Sequence, residues 1–352
     1  MRYLTVHTDK RISKIGLGTW QFGSKKWAYG ERYASEEARA IVRRAIELGV
    51  TLFDTAEIYG AGNSERILGS ALGECRDSAF IATKVFPVIP AALAVSQRAA
   101  ASARRLGVSH LDLYQVHWPN PLIRDRTLMH GMRTLQQSGR VGEVGVSNYS
   151  VERWQAAEEA LGGRVLTNQV EYSLVARSPE QGLIPFAESR ERVIIAFSPL
   201  AQGFLSGNYH GSSRPTDPLR VASPRFSPEN VERTTELIRV LREIGHAHRA
   251  NAAQIALAWT IRRPCVVAIP GASSVAQLES NVAAVEIDLA DDEYKALNEV
   301  SAQFCARRSS AQSGRPLAAM KHLVKCGLLL AGTVREDQRL KLKSSRWLRE
   351  RA

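Results

Sequence analysis

A parallel (β/α)8 barrel is the fold this sequence predicts, on two observations. A short apolar run followed by a stretch of 3.6-residue apolar spacing recurs about eight times in roughly 300 residues. Polar, chemistry-bearing residues also fall at the same end of seven consecutive runs, which is where barrel enzymes gather their chemistry. An open doubly wound sheet shares the alternation. No G-x-G-x-x-G follows any of the runs, which weakens that alternative.

The predicted strands are Ile15–Thr19, Thr51–Asp54, Phe80–Lys84, Leu111–His117, Gly142–Ser147, Val165–Gln169, Val193–Ser198 and Val266–Pro270. The first helix is read from the stripe Ala38, Ile41, Val42, Ala45, Ile46 and Leu48. Ser35 is expected to cap it, with Glu36 and Glu37 in its first turn and Gly49 closing it. A later helix opens with Asn251 and Gln254 at capping-box spacing. Two connections are long: Trp118–Arg126, and a Pro-, Ser-, Gly- and Arg-rich stretch from Leu200 to about Asn230, where binding segments are expected.

The chain has 352 residues, 44% hydrophobic and 23% charged, enough for a substantial core and close to the globular average. Four cysteines, Cys75, Cys265, Cys305 and Cys326, are widely spaced, with no C-x-x-C pair, and suggest neither a disulfide framework nor a metal site. Met1–Lys14 has no signal-like apolar core, and no run approaches 18 apolar residues, so a cytoplasmic, reducing setting is expected. The net charge is +12, but residues 305–352 carry 12 Lys/Arg against 3 Asp/Glu. Residues 1–304 are therefore expected to form the barrel, and residues 305–352 a basic, partly helical C-terminal extension suited to an acidic partner or an anionic surface. Whole-chain charge is then no argument for nucleic-acid binding.

Asp54, Tyr59, Lys84 and His117 are the candidate catalytic residues. Asp54, Lys84 and His117 end the second, third and fourth runs, and Tyr59 follows five residues after Asp54. A phenol has an intrinsic pKa near 10, and a neighbouring ammonium lowers it. Lys84 is expected to supply that charge, Asp54 to hold Lys84 protonated, and His117 to hydrogen-bond a substrate oxygen. A tyrosine so placed is a general acid for a carbonyl under reduction, and the hydride has to come from a cofactor. Ser147 and Asn148, Gln169, Phe197 and Ser198, and Gly271 end the fifth to eighth runs. Ser147-Asn148 also stand where the cap of the helix Val151–Leu161 would fall, and Gln169 and Phe197 are also compatible with plain core roles. Trp20, Trp27 and Trp118 follow the first and fourth runs and are candidates for an apolar substrate pocket.

The run Phe53-Asp54-Thr55-Ala56-Glu57-Ile58-Tyr59-Gly60-Ala61-Gly62-Asn63-Ser64-Glu65 resembles the aldo-keto reductase signature. Ile81-Ala82-Thr83-Lys84 and Leu113-Tyr114-Gln115-Val116-His117-Trp118-Pro119 resemble that family's lysine and histidine strands. The resemblance covers about residues 10–300 and implies a TIM barrel with NADPH-dependent reduction of an aldehyde or ketone, NADH being the lesser alternative. It further implies that Ser147, Asn148 and Gln169 hold the nicotinamide carboxamide and that Phe197, followed by Ser198-Pro199-Leu200, stacks on the ring. Gly271, Ser273, Gln277 and Asn281 are implied for the adenosine phosphate. Many relatives carry Lys or Arg where this chain has Ser273 and Ser274, and Arg225 is expected to help grip a 2′-phosphate. Some relatives, such as the β-subunits of potassium channels, bind NADPH and act mainly on a partner; the basic extension keeps that regulatory alternative open.

Overall fold

The computed structural model describes residues 1–4, 10–23, 31–89, 91–211 and 213–308. Eight strands run in order β1 to β8, all parallel: β1 Leu17–Gly18, β2 Leu52–Asp54, β3 Phe80–Val85, β4 Leu111–Val116, β5 Val141–Ser147, β6 Val165–Glu171, β7 Val193–Phe197 and β8 Val266–Ala268. Parallel bridges Ile15↔Ala268 and Gly18↔Gly271 join the last strand to the first and close the barrel. The predicted runs and the strands agree to within a few residues, because each run is apolar on both faces, as a strand covered by helices must be.

The helices are α1 Glu31–Glu47, α2 Asn63–Leu72, α3 Ala92–Leu106, α4 Asp125–Gln137, α5 Val151–Leu161 and α6 Leu183–Ser189. They continue with α7 Pro218–Val221, α8 Pro228–Arg233, α9 Thr235–Ala247, α10 Ala252–Ile261, α11 Val275–Ala283 and α12 Asp291–Arg308. Asn251 and Gln254 form the expected reciprocal capping box on α10. Gly49 has φ +78°, the left-handed conformation expected of a closing glycine. Ser35 is not a cap: α1 begins at Glu31, so the acidic first turn read from Glu36 and Glu37 lies inside the helix. Residues 309–352, the greater part of the predicted extension, lie outside the described residues, as does Trp27.

Period two along the strands sorts side chains between two cores. Leu52, Phe80, Leu113, Leu166, Val193 and Val267 fill the barrel interior. The alternating set, with Val42, Leu68, Tyr114, Trp154 and Trp259, fills the layer between strands and helices. An element the sequence reading missed plugs the barrel's N-terminal end. Arg2–Leu4 pair antiparallel with Ile12–Lys14, and Leu4 and Ile12 pack against the interior cluster.

Gly145 shows how tightly that interior is built. It pairs in register with Gln115 on one side and Thr167 on the other. A Cβ at this position would stand 2.1 Å from Thr167 Oγ1 and 2.9 Å from Gln115 Cγ. The missing side chain lets its two neighbours touch, and Thr167 Oγ1 donates to Gln115 Oε1 at 3.0 Å. Gly145→Ala is expected to destabilise the fold by about 1–3 kcal/mol through overpacking, measured by denaturant unfolding. Wild-type stability in that variant would show that the interior yields more readily than this geometry implies.

Candidate active site

The C-terminal ends of the strands converge on one polar cluster. Lys84 is fully buried, and its Nζ donates to Asp54 Oδ1 and Oδ2 and to the Thr55 carbonyl, each at 2.8 Å. The same atom lies 3.3 Å from Tyr59 Oη and 4.9 Å from the Tyr59 ring centroid. His117 meets the Tyr59 ring edge-on at 5.6 Å, and Phe86 buttresses His117 at 6.0 Å. The four candidate catalytic residues therefore come together, although 63 positions of sequence separate the first from the last.

Burial governs the electrostatics. It raises the Asp54 carboxyl and lowers the Lys84 ammonium, against the attraction and hydrogen bonds that favour the ion pair. It pushes the His117 imidazole well below its usual range, helped by the charge on Lys84, so His117 is neutral. Tyr59 departs from expectation. Burial first, and the Asp54 carboxylate second, hold its phenol well above 10 rather than below it. From sequence, Asp54 was assigned only to hold Lys84 protonated; its carboxylate, 2.8 Å from Lys84 Nζ, also opposes the ammonium at the phenol. The phenol is consequently held fully protonated.

Three further candidates, Gln169, Ser147 and Asn148, join this cluster. Gln169 Nε2 donates to Asp54 Oδ2 at 2.7 Å, which ties the sixth strand to the quartet. Ser147 Oγ donates to the Gln169 carbonyl, and Asn148 Nδ2 to Ser147 Oγ. Ser150, not Ser147 or Asn148, caps α5 by accepting from Arg153 N–H, so those two are not its cap. Asn168 holds the adjoining turn: its Nδ2 donates to the Tyr149 carbonyl and its Oδ1 accepts from Tyr149 N–H. Phe197 is half-buried at the end of β7, and Leu200 packs against the outer core.

The β8 turn is a separate module. Ser273 Oγ and N–H both donate to Gln277 Oε1, Ser274 caps α11, and Asn281 Nδ2 donates to the Gly271 carbonyl. Arg225 does not join it. Its guanidinium is engaged by Glu171 at the end of β6, a carboxylate the sequence reading had not paired with it.

Backbone strain is concentrated at this mouth. Of the seven non-glycine residues with positive φ among the described residues, Ala61, Asn148, Ser198, Ala201 and Gln202 stand just beyond strand ends β2, β5 and β7. Such conformations cluster where geometry serves a ligand. Large apolar side chains are also exposed there. Trp20, Ile89, Trp118 and Leu122 lie on loops that follow strands, and Val221 ends the short helix α7 in the long connection after β7. Trp20 and Trp118, which follow β1 and β4, are 42% and 43% exposed.

A closed eight-stranded barrel with its buried polar groups at the C-terminal mouth defines the (β/α)8 enzyme class. The aldo/keto reductase family matches residues 14–302, and the chain belongs to that family. It is 52% identical over 304 residues to an uncharacterized oxidoreductase of Mycobacterium tuberculosis, covering 86% of this chain and 94% of the relative. It is 33% identical over 291 residues to the methylglyoxal reductase YeaE of Escherichia coli, covering 82% and 91%. Among solved structures, a thermostable aldo-keto reductase in complex with the inhibitor epalrestat superposes with TM-score 0.73 at 31% identity, covering 85% of this chain and all of that one. An aldo/keto reductase from Klebsiella pneumoniae in complex with NADP and acetate gives 0.67 at 30% identity, covering 83% and 92%. No helix among the described residues is long and apolar enough to cross a membrane.

Proposed function

We propose that the chain is an NADPH-dependent reductase of aldehydes or ketones in which Tyr59 is the proton donor. The observation that carries this reading is the Lys84 ammonium, held by Asp54 and standing 3.3 Å from the Tyr59 hydroxyl. Burial keeps the phenol protonated until it is needed, and the ammonium beside it stabilises the phenolate once the proton has left. Neutral His117 donates a hydrogen bond to the carbonyl oxygen and so places it beside Tyr59 Oη.

A reduced nicotinamide supplies the hydride when bound. The residues present suit one. Phe197 offers a ring face at the mouth, Ser147, Asn148 and Gln169 offer amide and hydroxyl groups, and the turn with Gly271 and Ser273 opens α11, which carries Gln277 and Asn281 and whose N-terminus favours phosphate. The NADP and NADPH complexes of the Klebsiella pneumoniae relatives support the same cofactor. With Arg225 engaged by Glu171, the 2′-phosphate falls to serine hydroxyls and backbone N–H groups, so the preference for NADPH over NADH is modest. The apolar rim of Trp20, Trp118 and Leu122 favours carbonyl substrates with an apolar or aromatic body.

Titration of the purified protein with both reduced nicotinamides, followed by turnover of a carbonyl panel, tests the proposal. NADPH is expected to bind more tightly, with aromatic aldehydes turned over faster than small polar ones. Binding of neither nicotinamide would overturn it.

A further inference from the structure

Two buried nitrogens, one on β4 and one on the residue that follows it, have no hydrogen-bond partner among the described residues: Nε2 of Gln115 and Nδ1 of His117. Gln115 is fully buried and His117 only 7% exposed. Positions two apart on an extended chain point the same way, about 6.6 Å apart along it. Leu113, two residues before Gln115, belongs to the barrel interior, so Gln115 and His117 face inward as well.

The surroundings define the ends of the Gln115 amide. Thr167 Oγ1 donates to its Oε1, which leaves Nε2 as the outward donor. The obvious rival donor for His117 is already committed: Lys84 spends its protons on Asp54, the Thr55 carbonyl and Tyr59. A neutral imidazole carries a single N–H. If the buried Nδ1 accepts a hydrogen bond, the proton sits on Nε2, the nitrogen left to meet a carbonyl.

We propose that Gln115, Thr167 and His117 form the binding site of one internal water molecule that fixes the tautomer of His117. The water accepts from Gln115 Nε2 and donates to His117 Nδ1. Thr167 Oγ1, whose own proton goes to Gln115, accepts the second water proton. These three contacts are the usual complement of a buried water. Gln115 is then a positioning residue: it touches neither carbonyl nor nicotinamide and acts through His117. The inference rests on the reading of His117 as the group that hydrogen-bonds the carbonyl, and it adds the device that keeps Nε2 protonated.

The test reads the tautomer directly, in protein free of cofactor and substrate. In 15N-labelled wild type, the His117 ring is expected to show a protonated Nε2 and an unprotonated Nδ1. Gln115→Met, close in shape but without the donor, is expected to shift the population towards protonated Nδ1. Thr167→Val, which releases the amide, is expected to do the same and guards against one variant failing to fold. Both variants are expected to lose about tenfold in kcat, with NADPH affinity unchanged, the low end of the loss that follows when the hydrogen-bond partner of a metal-bound histidine is removed. Protonated Nδ1 in the wild type, or an unchanged tautomer in the folded variants, overturns the proposal. The tautomer is measured without turnover, so a failed role for Tyr59 leaves this result intact, and the reverse also holds.

Discussion

Replacing Tyr59 by phenylalanine is expected to lower kcat by about two to four orders of magnitude, the usual contribution of a positioned general acid. The fold should barely notice. The edge contact with His117 is made by the ring, which phenylalanine keeps. Lys84 loses only its 3.3 Å contact and retains Asp54 and the Thr55 carbonyl. NADPH affinity should therefore stay within a few-fold of wild type, and the unfolding midpoint should scarcely move. Steady-state turnover beside fluorescence titration of the cofactor separates these effects. Turnover near the wild-type rate would remove Tyr59 from the mechanism. A collapse of cofactor binding would instead assign it to the seat of the nicotinamide.

Asp54→Asn should act on stability and chemistry together. It keeps the shape of the side chain but leaves the Lys84 ammonium fully buried without its carboxylate, and Gln169 Nε2 loses the same partner. Removing one member of a buried pair costs about 3–5 kcal/mol. The native protein relieves part of this by releasing the proton of Lys84. Burial already lowers that ammonium below the 10.5 of an exposed lysine, and loss of Asp54 lowers it further. The unfolded chain then binds more protons than the native one across that interval, so the variant should gain stability as pH rises towards 10.5. Adding Lys84→Met should restore much of the stability and none of the turnover. Chemical unfolding of the single and double variants decides it. An additive double variant would mean that the pair contributes little as a pair.

The architecture was legible because period-two and period-3.6 patterns alternate so regularly, and because polar residues recur at one end of the runs. Asp54, Lys84 and His117 could be placed on a common rim by counting strands. What escaped were relations between strands, which no single run encodes. The Gln169–Asp54 hydrogen bond spans 115 positions. The Gln115–Thr167 contact needs Gly145 between them, and the only signal in the sequence was a polar residue two before His117 in a buried strand. The direction of the Tyr59 phenol was misjudged for the same reason. Both charged neighbours were read, but the depth of burial and the direct pull of Asp54 on the phenol belong to the fold. Ser35 was misplaced because helix α1 starts at Glu31, about two turns before its apolar stripe begins at Ala38.

The seam between the first and last strands has a kinetic meaning. Its contacts join segments far apart in the chain: Gln21 Nε2 reaches the Ala272 carbonyl 251 residues away, and Lys14 Nζ reaches the Val266 carbonyl 252 away. Closing a loop of that length costs roughly 2 kcal/mol more entropy than closing one strand–helix unit of about 30 residues. Neighbouring strands can therefore zip in sequence order while the seam waits for the whole chain. The β8 turn, with Gly271 and Ser273, is stitched to the barrel through that seam. A nascent chain lacking its last strands would already carry Asp54, Tyr59, Lys84 and His117, yet lack the β8 turn that we propose takes the cofactor phosphate. With the cofactor seated as proposed, competence to hold a dinucleotide is acquired at the final step of assembly, and a ligand that bridges both ends would act as a clasp on the finished ring.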